Sequence, residues 1–309
     1  MNGFKLIRYL PMWVLYALAT LASWVIGQLK SQSVYRNLHT NLRLVFPQLS
    51  DDKREQLQRA VIANQAKNAV ESFKCWAMPV EWSIAQIHTV HNQHILRDAL
   101  ADPKGMLAIV PHLGTWEMMN AWLNQFGSPT IMYKPVKGKS ANEFVLAGRE
   151  RLNATLVPTD ATGVKAIFKT LKEGGFSIIL PDHVPDPSGG VVVPFFGIPT
   201  MTSTLAPKLA SKTGCRLVGL VCVRRDDGNG FDIHCEDLSN PNLYSKDIET
   251  ATLAMNHAIE AMILRFPSHY MWNYRRFKYV PNVDDVYALD DNELAQVLAT
   301  YQDNNLTLK

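Results

Sequence analysis

At 309 residues, with 47% hydrophobic and 19% charged content, the chain holds enough apolar side chains for a sizeable core, which excludes an intrinsically disordered protein. The formal net charge of only +3 excludes a strongly basic nucleic-acid-binding domain, although local clusters of Lys and Arg suit anionic partners met at particular patches. Four cysteines, Cys75, Cys215, Cys222 and Cys235, form no C-x-x-C pair and no tight framework, so they read as reduced thiols in a chain whose folded part faces the cytoplasm.

From Tyr9 to Leu29 there is no charge, and the stretch has the roughly 20-residue length that crosses a hydrocarbon core. It reads as a membrane segment that either spans the bilayer or lies in its interface. Lys5 and Arg8 precede it, Lys30, Arg36 and Arg43 follow it, and Trp13, Tyr16 and Trp24 suit the headgroup level. A cleaved signal peptide is the rival, because a basic start and the small residues around Ala17 and Ala19 resemble one. The length of the apolar run and the basic segment after it favour a retained helix on a cytoplasmic, anionic surface.

Two helices are expected next. Leu38, Leu42, Val45 and Phe46 keep helical spacing up to Pro47, and a second helix runs from Asp51 to about Met78, with Ser50 as its N-cap and Asp51-Asp52 at its positive end. Beyond residue 100 short β-rich runs alternate with helical ones. Strands are expected at Leu107–Val110, Pro129–Met132, Ser177–Leu180 and Leu217–Val223, and helices near 115–126, 140–152, 162–173, 202–213 and 247–265. This rhythm predicts an α/β fold, a mostly parallel sheet sandwiched by helices, with an N-terminal membrane helix. The domain reading is a membrane segment at 1–30, a helical part at 31–100, an α/β core at 101–285 and a tail at 286–309.

The chemistry-bearing run is His112-Leu113-Gly114-Thr115-Trp116-Glu117, which follows the apolar Met106–Pro111. It puts an imidazole in the turn leaving a strand and Glu117 in the first turn of the next helix. At the carboxyl ends of parallel strands such turns open into a crevice. A carboxylate accepting one ring N–H leaves the other nitrogen free to take a proton from a hydroxyl. A buried, hydrogen-bonded structural histidine fits the same spacing.

Basic residues recur near other strand and helix ends: Lys134, Arg149 and Arg151, then Arg224-Arg225, then Arg275-Arg276. Their guanidinium forks suit phosphate or carboxylate, and each also reads as a solvated surface charge. Pro185–Gly190 is a loop, either a mobile lid or a connector, and the apolar Val191–Pro199 after it suits the core or a lipid-chain groove. His88-x-x-His91-x-x-His94 would share part of a helix face but lacks a fourth ligand, so no metal site is expected. No G-x-S-x-G elbow and no glycine-rich phosphate loop is present.

The blocks PHLGTWE, Tyr133-Lys134-Pro135, GRERLNA at 148–154, LPDH at 180–183, VPFFGIP at 193–199, LASKTG at 209–214 and YMWNYRRFK at 270–278, with RNLHTNLRLVFPQLS at 36–50, resemble the late acyltransferases of lipid A biosynthesis across roughly residues 5–282. The resemblance implies a glycerolipid-acyltransferase-like fold and an enzyme of the bacterial inner membrane with its catalytic domain on the cytoplasmic side. It would transfer a fatty acyl chain from an acyl carrier protein thioester to a hydroxyl of a 3-hydroxyacyl chain on a lipid A precursor, with no metal or cofactor and no nucleic-acid partner.

By the family motif H-x-x-x-x-D/E, His112 would be the general base and Glu117 its orienting carboxylate, with Arg149 and Asp182 contributing to the site. The oxyanion would be met by amides of the His112–Gly114 turn or by Arg149. Lys134, Arg151, Arg275 and Arg276 would bind the phosphorylated substrate, and Phe195 and Phe196, with Val193 and Met201, would line an acyl groove. Lys208, Lys212, Arg224 and Arg225 would receive the acidic carrier protein. A membrane-associated thioesterase, a lysophospholipid acyltransferase and a non-catalytic lipid-binding protein are the alternatives.

Overall fold

The structure is a computed structural model that describes residues 3–29 and 33–306. Lys30 and the side chain of Lys5, two of the expected flanking charges, lie outside what is described. After a 3₁₀ turn at Gly3–Tyr9 come α1 (Met12–Gln28), α2 (Ser33–Val45), α3 (Asp51–Ala77) and α4 (Val80–Ala85). The sheet-forming part follows: β1 (Ile87–His91), α5 (Gln93–Leu100), β2 (Met106–Ile109), α6 (Trp116–Leu123), β3 (Thr130–Tyr133), α7 (Lys139–Glu150), β4 (Thr155–Pro158), α8 (Ala161–Lys172) and β5 (Phe176–Ile179). Then come a hairpin, β6 (Gly190–Phe195) and β7 (Ile198–Ser203), followed by α9 (Leu205–Thr213), β8 (Arg216–Arg224), β9 (Phe231–Asp237), α10 (Ile248–Arg265) and α11 (Asp291–Leu306).

The main sheet has seven strands in the order β1-β9-β8-β2-β5-β3-β4. From β8 to β4 every pairing is parallel; β9 runs antiparallel to β8, and β1 is parallel to β9. All four residues of β2 and of β5 are buried, as expected for parallel strands covered on both faces. Side chains of β2 alternate between two cores. Leu107 and Ile109 join residues of α2, α3, α8, α9 and α10, whereas Met106, Ala108 and Val110 join residues of α5 and α6. The expected sandwich is therefore present, and the four expected strands are β2, β3, β5 and β8.

Five strands, β1, β4, β6, β7 and β9, and the helices α4, α5 and α11 escaped the sequence pattern. β1 and β4 are short and only partly buried, so no clean apolar run marks them. β1 also takes His88 and His91 out of any helix and leaves His94 on α5, so the three histidines do not share a helical face. The helix expected from residue 202 starts at Leu205, because Ile198–Ser203 pairs with Gly190–Phe195 in the hairpin. Phe196 (φ 50) and Gly197 (φ 78) form its two-residue turn, and the backbone amide of Phe196 donates to Glu260 of α10 at 2.7 Å.

Ser50 caps α3 as expected, accepting from the Lys53 amide. α1 lies against α3 through Leu15 and Ala19, while its outer face exposes Trp13 (73%), Leu21 (59%) and Trp24 (64%). Lys74 of α3 holds the chain just before α1, its ammonium donating to the carbonyls of Ile7, Arg8 and Leu10. Among the described residues no single helix is long and apolar enough to cross a membrane.

Candidate active site

β2 and β5 are parallel neighbours, so the turns that leave their carboxyl ends emerge side by side. The first carries His112 and the second Asp182. The His112 amide donates to Asp182 Oδ2 at 2.9 Å, and His112 Nδ1 lies 2.8 Å from Asp182 Oδ1. One carboxylate thus fixes both the backbone and the ring of the histidine. Asp182 is fully buried, which opposes ionisation, but the His112 ring and amide outweigh that and hold its carboxyl well below the ordinary range. An ionised carboxylate only accepts, so Nδ1 carries the proton and Nε2 presents a lone pair. The imidazole remains 13% exposed.

The turn itself is tightly held. Gly114 adopts φ +67, and a Cβ there would stand 1.9 Å from the Cys222 carbonyl oxygen, so the turn needs glycine. The Gly114 amide donates to the carbonyl of His269, the Thr115 amide to that of Cys222, and the Met271 amide to that of His112. The segment 269–271 crosses the turn and locks it. Buried Tyr270 is pushed above its ordinary range by burial and then by the charge of Asp182. His183 stacks on the His112 ring at 3.7 Å and 6°, Tyr274 stacks on His183 at 4.0 Å, and Trp116 meets His112 edge to face at 5.2 Å. Burial first, and then the neighbouring His112, pull His183 down to about 4.

Glu117 does not meet the His112 ring. Its buried carboxylate accepts from Arg149 of α7 and, at 2.9 Å, from Trp76 Nε1 of α3. The expected His112–Glu117 hydrogen bond is thus replaced by His112–Asp182. The physical reason is direction: α6 begins at Trp116, so Glu117 leaves the helix toward α3 and α7 while Trp116 takes the side facing the imidazole. Arg149 also lies over the Tyr133 ring, 5.4 Å from its centroid. A Cβ on Gly148 would stand 2.6 Å from Trp76 Cβ, so it is the missing side chain there that lets α7 approach α3 closely enough for this pairing.

The remaining expected site residues divide. Lys134 is exposed just past the end of β3. Arg151 is exposed but occupied, donating to the carbonyls of Met78, Trp76 and Ala147, where it closes the carboxyl end of α3. Arg275 is half exposed and pairs with Asp285 over the ring of Tyr287. Arg276 is buried, donates to the Met201 carbonyl and to Thr202, and lies over the Phe195 ring, so it joins the hairpin to the core instead of facing substrate.

Phe195 and Val193 are buried in the protein core, and Phe196 packs against Phe46 and Trp272; the expected acyl groove is core packing. Arg224 is buried and paired with Glu71, and Arg225 is paired with Asp227 and Asp232, which leaves Lys208 and Lys212 as the exposed members of the expected docking set. Tyr16, expected at the headgroups, faces inward against Arg224 and Lys67. The turn amides expected to meet an oxyanion are engaged: those of His112, Leu113, Gly114 and Thr115 all donate to protein oxygens. Arg149 Nη1, by contrast, has no partner among the described residues.

A carboxylate-held imidazole at the carboxyl edge of a parallel sheet is equipment that can activate a hydroxyl. The comparison with protein families shows an acyltransferase. The family described as bacterial lipid A biosynthesis acyltransferase matches residues 1–279, and the chain belongs to it. The chain is 31% identical over 249 residues to a lipid A biosynthesis lauroyltransferase of Escherichia coli, covering 79% of each. It is 25% identical to a lipid A biosynthesis palmitoleoyltransferase of the same organism, covering 78% of each. A phosphatidylinositol mannoside acyltransferase of Mycolicibacterium smegmatis is 28% identical over 80% of both chains. Among solved structures, a 1-acyl-sn-glycerophosphate acyltransferase of Thermotoga maritima aligns with 84% of this chain and 99% of its own at 12% identity and a TM-score of 0.38. The protein is an acyltransferase of lipid A biosynthesis.

Proposed function

We propose that this acyltransferase moves a fatty acyl chain from an acyl carrier protein thioester to the hydroxyl of a 3-hydroxyacyl chain on a lipid A precursor, at the cytoplasmic face of the bacterial inner membrane, with His112 as general base and Asp182 as the residue that orients it. The observation that carries the reading is the doubly bonded His112–Asp182 pair with Nε2 left open. An alkyl hydroxyl is a weak nucleophile. Nε2 takes its proton as the oxygen attacks the thioester carbonyl, and Asp182 stabilises the imidazolium that results. The tetrahedral intermediate then collapses: the C–S bond breaks, the carrier's thiolate leaves, and it receives the proton from Nε2. No acyl-enzyme is required.

Charge on the intermediate's oxygen needs a donor. With the turn amides occupied, Arg149 fills that role, aimed by Glu117 and Trp76. Glu117 thus serves the arginine, not the base. Exposed Lys134 suits a phosphate at the rim, and Lys208 and Lys212 suit an acidic carrier. The apolar outer face of α1, with Trp13, Leu21 and Trp24, suits a helix lying in the bilayer interface, which would bring the enzyme to its lipid acceptor.

The test is transfer by purified protein, with lauroyl-acyl carrier protein and a lipid A precursor, read by mass spectrometry of the lipid. Wild-type protein should yield precursor heavier by one acyl chain and little free fatty acid, and His112→Ala should lower that rate about a thousandfold or more. Free fatty acid as the main product in the presence of acceptor would replace transfer by thioester hydrolysis. Turnover by His112→Ala at the wild-type rate would remove the base.

A further inference from the structure

Beneath the catalytic turn lies a buried polar chain that the reaction as described does not use. α3 presents Asn64, Asn68 and Glu71 at helical spacing on one side. Glu71 is fully buried and pairs with Arg224 of β8 at 2.6 Å. It also accepts from the hydroxyl of Thr115, three residues after His112. Asn68 Nδ2 donates to the Gly114 carbonyl at 3.3 Å, and Arg224 Nη2 donates to Asn64 Oδ1 at 2.7 Å. Asn64 in turn donates to the carbonyl of Ser268, just before the segment that crosses the turn. Tyr16 of α1 closes the chain from the other side, with the Arg224 guanidinium 5.6 Å from its ring centroid.

An ion pair buried this completely is a poor stabiliser. Removing two charges from water costs about as much as their attraction returns, and apolar pairs of similar volume often serve as well. What the pair supplies is direction: Thr115 and Gly114 are bonded to one face of a long helix, and His112 is on the same short turn. Asp182 holds the ring and the amide of His112 itself but makes no bond to Gly114 or Thr115, where the chain turns into α6.

We propose that Glu71 and Arg224 are positioning residues for His112, acting through the Thr115 hydroxyl, and that Tyr16 ties this device to α1, the helix with the exposed apolar face. The inference deepens the proposed function and rests on His112 being the base. Tyr16→Leu removes the ring over Arg224 and keeps an apolar side chain in its place. Thr115→Val removes only the hydroxyl, and Thr115→Ser keeps it. Glu71→Met combined with Arg224→Met removes both charges together and leaves neither buried alone.

Two measurements on the full-length protein test this. The first is kcat and KM with lauroyl-acyl carrier protein and a lipid A precursor. The second needs no substrate: the rate of His112 carbethoxylation by diethylpyrocarbonate, read by mass spectrometry, with melting temperature taken alongside. Thr115→Val and the double variant should lower kcat about tenfold or more with KM nearly unchanged, because small misplacement of a base is costly. Both should change His112 labelling several-fold, and Thr115→Ser should restore each value. Tyr16→Leu should shift both readings in the same direction by a smaller factor. Wild-type kcat and labelling in Thr115→Val and the double variant, whatever their melting temperatures, would overturn the proposal. Absence of transfer by the wild-type protein would instead overturn the donor and acceptor reading, and the labelling rates would still decide the positioning role.

Discussion

His112 and Glu117 are five residues apart, yet their side chains belong to two different centres. The His112–Asp182 centre is made of two turns that leave neighbouring parallel strands, so the sheet register alone brings the partners together. The Glu117–Arg149 centre is made by three helices, α3, α6 and α7, and depends on how closely they pack at Gly148. The first holds an imidazole by its amide and by Nδ1. The second holds a fixed cation. Closeness in sequence suggested one His112–Glu117 couple, whereas strand adjacency and helix direction produced a histidine–aspartate pair and a glutamate–arginine pair.

If the division is right, the two carboxylates fail differently. Asp182→Asn leaves the volume intact but offers an amide in place of an anion, so the ring loses its tautomer and its counter-charge. Its kcat should fall by about a thousandfold or more, as when the orienting carboxylate of a comparable couple is neutralised. Glu117→Gln should fall less, about ten- to a hundredfold, and without a change in the pH dependence that His112 gives kcat. A fall as deep as that of Asp182→Asn, with the ascending limb of the pH profile displaced, would return Glu117 to the base. Glu117→Gln should also melt earlier, since it leaves the mostly buried Arg149 without its anion, a loss of about 3 kcal/mol at most.

Gly148→Ala tests the helix-built centre alone. The added methyl meets Trp76, so α7 must back away and Arg149 with it. Transfer should drop by about tenfold, from displacement of a charge that has to be in place before the reaction, while His112 labelling by diethylpyrocarbonate stays at the wild-type rate. Altered labelling would mean that the two centres are one.

The smallest expected effect is on stability in acid. Burial, first of all, pulls His183 and His269 down from 6.5 to about 4 in the folded chain. Such groups bind more protons when unfolded, so their contribution is full above about pH 6.5 and is lost as pH falls toward 4. Thermal melts should therefore be flat near neutrality and fall through this window. His183→Phe, which keeps a ring stacked on His112, should shallow that fall, and an unchanged slope would remove His183 from the account.

The strongest sequence signals concern single segments. The apolar runs of β2, β5 and β8, the Ser50 cap and Pro47 stop, and the carboxyl-end position of His112 were all readable, because each depends on residues near one another in the chain. Asp182 was visible only as a member of the site, in LPDH, because its distance from His112 is set by the pairing of β2 with β5. His183, Tyr270 and Tyr274 lay in quoted blocks, yet nothing local told that they would stack on the base or lock its turn. The apolar Val193–Phe196 run gave no sign of whether core or ligand would cover it, since burial of either kind selects the same residues. The hairpin pressed it into the core.

By itself, then, the sequence determined the class of fold, the place of His112 at a strand's carboxyl end and the family to which the chain belongs. Periodicity, capping and an ordered set of motifs are properties of neighbouring residues and survive reading in one dimension. Only the tertiary structure decided which carboxylate serves His112, which arginines are buried in pairs, and that Tyr16 turns inward to Arg224. Those outcomes depend on strand order and helix approach, where angstroms of separation between residues tens of positions apart select the partner that forms the hydrogen bond.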